Sequence, residues 1–399
     1  MAGLLGMVVL VGLGEKMAER FLPMYLLALG SGALWPGLLN ALDNLLSALY
    51  SFPGGYLSDR LGIKRALLVF NLLAMFGFVI VIAIPSWPAV IVGSLFFLSW
   101  TAISLPATMD LVSKVLPKDK RTMGVSVHSL VRRIPMALGP IAGGICIDHW
   151  GVVTGVRIAF GAALAMAGLG VILQQFLIGN DSPQTSPLKK PAAEANAFRL
   201  LRAMDPSLKR LLVSDILIRF CEQIPYAYVV IWCMSAVAGH ATARISGKAF
   251  GVLTALEMAT AMLVYIPVAY LADKSHKKPF VVITFIHFTL FPLVLLFSHS
   301  FLWLAFAFIL RGLKEFGEPT RKALIMDLAP EGRKAAMFGA YYLFRDVVVA
   351  LGAGAGAWLW QMGPEVNLLT ASAFGLAGTL FFALFGTDIV PAEHAPRLT

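Results

Sequence analysis

Apolar runs of about twenty residues recur through the chain, at 66–84, 89–109, 158–178, 280–298 and 367–386. Coiled as a helix, a run of that length crosses the ~30 Å hydrocarbon layer of a bilayer. The stretches between them carry isolated polar residues at helical spacing and read the same way. Together they predict twelve spanning helices, at about 6–29, 35–57, 66–84, 89–112, 123–147, 153–178, 211–236, 247–271, 280–298, 301–327, 336–360 and 367–387. One connection is longer than the rest. Residues 179–210 include "NDSPQTSPLKKPAAEAN", whose proline, serine and lysine content predicts a linker with one surface helix. It separates residues 1–178 from 211–399, two sets of six helices. The first run reads as a span rather than a cleaved leader, because four ionisable residues interrupt it.

Composition agrees with an all-α membrane protein. Of 399 residues, 58% are hydrophobic and only 14% charged, against roughly 25% charged in a soluble domain. The net charge of +10 is a matter of topology. Most basic residues fall in the even-numbered connections, among them Arg60, Lys64, Arg65, Lys118, Lys120, Arg121, Lys274, Lys277, Lys278, Arg333 and Lys334. Arg157, Arg244 and Lys248 lie at the opposite ends. The excess of positive charge on one side predicts cytoplasmic termini and linker, in a plasma or inner membrane. It also removes the reason to invoke nucleic acid. The seven histidines form no ligand-spaced pair, and no nucleotide loop or nucleophile elbow is present. We therefore expect no metal, no cofactor and no enzymatic chemistry.

The chain repeats itself. At an offset of 214, Ala41 and Leu42 match Ala255 and Leu256, Pro53 matches Pro267, Tyr56 and Leu57 match Tyr270 and Leu271, and Asp59 matches Asp273. At 213, Pro106 matches Pro319, Pro117 matches Pro330 and Arg132 matches Arg345. Six helices written twice keep one membrane sense, giving parallel repeats related by an axis along the membrane normal. The loop "GGYLSDRLGIKR" resembles the signature between helices 2 and 3 of the major facilitator superfamily. Gly55, Asp59, Arg60, Gly62, Lys64 and Arg65 fill its positions, while Ile63 stands where a basic residue is usual. In the second copy Asp273 is kept, but Ala269 and His276 replace the glycines. The resemblance implies the superfamily's two six-helix bundles and a gating role for these loops; a plain topology anchor is the other reading. "PMALGPIAGG" is similar to a helix 5 motif of the superfamily's antiporters, through Gly139, Pro140, Gly143 and Gly144, with Pro135 at the first glycine position. Small residues and a proline bend let helices 5 and 8 pack closely.

A charge at mid-bilayer costs about 2.5–3.5 kcal/mol, so each one should face protein or a wet cavity. Helix 1 carries Glu15, Lys16, Glu19 and Arg20, and helix 2 carries Asn40, Asp43, Asn44 and Ser47. Helix 7 aligns Asp215, Arg219, Glu222 and Tyr226. Helix 10 aligns Arg311, Lys314, Glu315 and Glu318, and helices 5 and 11 add Arg132, Arg133, Arg345 and Asp346. In the family resembled, helices 1, 2, 4 and 5 and their repeats line the central cavity. Asp43 and Glu257 are equivalent positions of the repeat. With Glu19 and Glu222 they are the candidate proton-coupling acids, although permanent pairing, with Arg132 or Arg311 for instance, stands beside that reading. Arg20, Asn40, Asn44, Arg132, Arg219, Arg311, Glu315 and Arg345 are the candidate cargo ligands.

The expected activity is transport of a small polar or amphipathic solute by alternating access, driven by a proton gradient and leaning to antiport. Facilitated diffusion, proton symport, a channel and a membrane-embedded enzyme are the alternatives. The "EKMAERF" of helix 1 is similar to the "ExxERF" of proton-coupled peptide transporters. Its first glutamate is one residue further away, however, so peptide specificity does not carry over. Helix 4 also lacks the basic residue common in proton-linked members. The lipid bilayer and the solute are the expected partners, and a monomer the working unit.

Overall fold

Backbone inside a bilayer has no partner but itself, so a leucine- and phenylalanine-rich chain answers with helices. The computed structural model describes residues 2–98, 121–177, 197–237, 239–273, 276–330 and 334–388, and its regular elements are all helical. In order they are α1 (Ala2–Glu19), α2 (Leu22–Ala28), α3 (Leu34–Leu61), α4 (Ile63–Ala83), α5 (Trp87–Phe97) and α6 (Arg121–Leu177). They continue with α7 (Ala197–Ala203), α8 (Pro206–Gln223), a 3₁₀ turn (Tyr226–Tyr228), α9 (Val229–Met234), α10 (Gly247–Asp273) and α11 (Lys277–Leu296). The last are α12 (Phe301–Leu313), α13 (Glu318–Asp327), α14 (Lys334–Met362) and α15 (Pro364–Phe385). Seven helices among the described residues are long and apolar enough to cross a membrane. The second part of the fourth expected span lies outside the described residues.

Three expected spans are interrupted, and each break has a local cause. Helix 1 stops at Glu19 and restarts at Leu22, where Pro23 occupies the first turn of α2 and has no N–H to continue the ladder. Pro225 does the same between α8 and the 3₁₀ turn. The Ile224 carbonyl there accepts a bond from the Asn367 side chain on α15, at 3.3 Å. Helix 10 opens between Leu313 and Glu318, ahead of Pro319. The Gly317 N–H at this break donates to Thr284 Oγ1 of α11 at 2.6 Å. Helices 5 and 6 meet at a single residue, Gly151, whose φ of 74° favours glycine.

By contact the chain forms two compact units, one of residues 1–187 with 227–255, the other of 188–226 with 256–399. In the first, Phe78 of α4, Phe97 of α5 and Phe160 of α6 pack with ring centroids 5.3–5.6 Å apart. The Arg157 guanidinium on α6 donates twice to the Ile82 carbonyl that ends α4, at 2.8 and 3.1 Å. Deeper along the same pair of helices, Asn71 donates to Gln174 at 2.8 Å, and Gln174 donates to the Lys64 carbonyl at 2.7 Å. Asn71→Leu is expected to lower the thermal unfolding midpoint of the purified protein, because Gln174 Oε1 loses its donor at a cost of about 1–3 kcal/mol. An unchanged midpoint would show the pair to be idle.

In the second unit, Leu200 of α7 and Met204 just after it join a cluster with Leu208 and Leu211 of α8, Phe285 of α11, Leu324 of α13 and Phe382 of α15. The α7 segment is the helix within the 179–210 connection. Asp205 caps α8 by accepting from the Ser207 N–H at 2.7 Å, with Pro206 in the first turn.

Candidate functional site

The glycines of the helix 5 motif set how closely α6 approaches its neighbours. A Cβ on Gly139 or Gly143 would collide with backbone of α1 at Lys16 and Met17. One on Gly144 would strike the Gly247 carbonyl, and one on Gly251 would lie 2.5 Å from the Pro140 carbonyl. Just past this seam, Asp148 accepts from the Gly247 and Lys248 N–H groups, at 2.6 and 2.9 Å, capping α10.

Of the loop signature, Gly62 has φ 79° and starts α4, so the turn requires glycine. Lys64 donates to the Gln175 carbonyl at 2.8 Å, which fixes the start of α4 to the end of α6. Arg60 and Arg65 are exposed. Gly55, Asp59 and Asp273 are described as helical backbone alone.

The first unit's charges gather on α1. Lys16 pairs with Glu15 at 3.4 Å and with Glu19 at shorter range. Arg20 and Arg132 are near enough to act on Glu19 and Glu15 respectively. On α3 the Asn44 side chain donates to the Asn40 carbonyl at 2.8 Å, and Asp43 is half-buried beside them.

The second unit holds a longer construction. Glu257 on α10 lies 3.5 Å from both Arg311, in the last turn of α12, and Lys314, the residue that caps it. Lys314 reaches Glu222 on α8 at 2.7 Å, and Arg219, one turn earlier, reaches Glu222 at 2.6 Å. Arg219 also stands 3.6 Å from Glu318, the first residue of α13. Arg321 forks onto Glu318 with bonds of 2.7–3.1 Å and onto Asp215 of α8 at shorter range. Asp215 further accepts from Tyr341 at 3.1 Å and meets Arg345 of α14 at 3.4 Å, and Arg345 pairs with Asp346 at 2.7 Å.

The result is a chain of alternating sign: Glu257, Lys314, Glu222, Arg219, Glu318, Arg321, Asp215, Arg345, Asp346. It threads α10, α8, α13 and α14 and passes through the helix break between Leu313 and Glu318. Asp215, Glu257 and Arg321 are each 1% exposed. Such burial is tolerable only because every charge meets its opposite.

Sequence reasoning named Glu222, Glu257, Arg219, Arg311, Glu315 and Arg345 here, and the structure brings Glu222, Glu257, Arg219 and Arg345 into the chain. Glu315 is partly buried beside Lys314. Arg311 flanks the chain instead. Its guanidinium is 5.2–5.8 Å from the ring centres of Phe291, Tyr226 and Phe308, an aromatic cage that holds the cation by face-on attraction. Five members were not among the candidates: Asp215, Lys314, Glu318, Arg321 and Asp346. Arg321 continues the helix 10 stripe by one more step of three, which is the signal that could have found it.

A helical membrane protein with a repeated six-span plan and a buried ionic path is built as a solute carrier. The chain belongs to the Major Facilitator Superfamily, whose model matches residues 4–243 and again 226–399. It is therefore a membrane transporter and not an enzyme. The multidrug resistance protein MdtG of Klebsiella pneumoniae (strain 342) is 28% identical over 152 residues, 36% of each chain. The MFS-type transporter YqjV of Bacillus subtilis (strain 168) is 29% identical over 137 residues, 33% of this chain and 32% of that one. The chain thus spans about a third of the length of these curated relatives where it matches them.

Among solved structures, the nucleoside transporter NupG superposes with a TM-score of 0.80 over 96% of this chain and 99% of that one, at 12% identity. A POT family transporter in complex with 5-aminolevulinic acid superposes at 0.72 over 96% of both, at 13% identity. At such identities the likeness is one of fold.

Proposed function

We propose that the chain is a proton-coupled secondary transporter that moves a small polar or amphipathic organic solute by alternating access, with antiport as the preferred direction of coupling. The observation that carries this reading is Glu222. Its carboxylate is clasped by one cation from its own span and one from span 10, beside the Pro225 break. Neutralising an acid in that position cancels both clasps at once. Protonation thereby loosens span 7 from span 10, and proton release restores the link. Asp43, Glu19 and Glu257 are the other acids that can serve, each set among polar or basic groups.

Two observations support antiport. The glycine seam packs helix 5 against the first turns of α10, and MdtG, with which the chain shares a third of its length, is named for multidrug resistance. Both signs of charge together with the rings around Arg311 suit a cargo having polar and apolar faces. The basic connections support an inner-membrane setting with cytoplasmic termini.

The test begins with a thermal-shift screen of purified protein against metabolites, drugs and lipids, followed by flux of the stabilising solutes into proteoliposomes. Glu222→Gln is expected to cut flux driven by a pH gradient about tenfold or more, since the intramembrane acid carries the coupling, while cargo still stabilises the protein. Unchanged gradient dependence in the Glu222, Glu257, Asp43 and Glu19 amide variants alike would leave facilitated diffusion as the correct reading.

A further inference from the structure

We infer that Arg321 is a positioning residue: by occupying Asp215 and Glu318 it keeps Arg219 committed to Glu222. Its functional meaning rests on Glu222 as the coupling acid, but its geometry does not.

Arg219 stands among three acids. It is bonded to Glu222 at 2.6 Å, while Glu318 is 3.6 Å and Asp215 is 3.9 Å away. The two distant contacts are unfinished. Arg219 Nε and Asp215 Oδ1, the atoms that face each other across 3.9 Å, have no hydrogen-bond partner among the described residues although both are buried. An N–H···O bond closes at about 2.9 Å, so a shift of roughly 1 Å would complete an alternative pairing. What prevents it is Arg321, whose planar fork bonds the carboxylates of both Glu318 and Asp215.

Without that guanidinium the second unit carries two under-neutralised carboxylates next to Arg219. Arg345 and Tyr341 still hold Asp215, and Lys322 is 3.3 Å from Glu318, but its side chain is 46% exposed and its pull is screened. Arg219, with its side chain 20% exposed, is the less screened cation within reach. It swings toward Glu318 and Asp215, and Glu222 is left with Lys314 alone, which Glu257 also claims. The choice of partner for the coupling acid is thus made two helices away from it.

Carbodiimide labelling reads this without knowing the cargo, because the reagent adds to buried carboxyl groups that lack cationic partners. Purified full-length protein is treated with dicyclohexylcarbodiimide, and adducts are assigned by peptide mass spectrometry. In Arg321→Gln, Glu222 is expected to label about tenfold faster than in the unsubstituted protein, the scale of one charge-assisted hydrogen bond. Arg321→Gln/Glu318→Gln removes the nearer of the two competing acids, while Arg345 and Tyr341 still hold Asp215, and is expected to return labelling of Glu222 most of the way to the original rate.

Where Arg321→Gln is not monodisperse, Arg321→Lys replaces it. A lysine ammonium lacks the planar fork that bonds Glu318 and Asp215 together, so its hold on the two acids is weaker, labelling of Glu222 still rises, and it falls again with Glu318→Gln. Labelling of Glu222 that stays flat in the single variant, or that the second substitution fails to reverse, overturns the inference. So does a parallel rise at Glu257 and Glu315, which signals general loosening. Gradient-driven flux in Glu222→Gln tests the coupling role separately, so labelling that follows the expected course beside unaltered flux would sink only the transport reading.

Discussion

Alanine at Gly144 is expected to deplete folded protein sharply. The added methyl has nowhere to go: it meets the Gly247 carbonyl and the Lys248 nitrogen, which are backbone atoms and cannot rotate aside. Helix 5 and the start of α10 must therefore separate along the seam. Overpacking of this kind costs about 1–3 kcal/mol per site, against a total stability of about 5–15 kcal/mol. Gly143→Ala forces the same separation from the Met17 carbonyl of α1, and the pair of substitutions is expected to leave little monodisperse protein. Gly161→Ala, on the same helix run with no atom within 4 Å of its new Cβ, is the control and should be neutral or gain the usual helix preference for alanine. Thermal midpoints of detergent-purified variants decide it. Equal midpoints for Gly144→Ala and Gly161→Ala would mean that the seam yields.

Asp215→Leu is expected to be the most damaging single substitution in the ionic path. It leaves Arg321 with Glu318 as its one remaining acid in the path, deprives Tyr341 of its acceptor and leaves Arg345 with Asp346 and the Tyr342 ring. Removing one partner from a buried pair costs about 3–5 kcal/mol, because the surviving charge remains without water. Asp215→Asn keeps an acceptor oxygen for Tyr341 and should lose less. If the leucine variant melts with the unsubstituted protein, the path is not holding spans 7, 10 and 11 together.

The spans were legible because a bilayer leaves the chain little freedom: about twenty apolar residues can do little there but coil and cross. The ionic stripes on spans 7 and 10 were legible for the same reason, since charge inside lipid is costly unless it is arranged. The breaks were not legible. Proline occurs inside many membrane helices when a neighbour satisfies the freed backbone, and the neighbours that do so here, Asn367 and Thr284, are far away in sequence. Partner choice was hidden too. Arg311 and Lys314 lie on one stripe, yet only Lys314 reaches Glu222, because Arg311 turns into the rings of Phe291, Phe308 and Tyr226. Arg321 lay one step beyond the stretch read as the stripe.

Gly151 carries an implication for motion. A lone left-handed residue joins two long rods, and four residues later a Cβ on Gly155 would already crowd the Cys146 carbonyl. The rods are clasped at their shared end like the legs of a pair of compasses. Neither can slide lengthwise past the other, so whatever tilts one leg drags its twin about that single pivot.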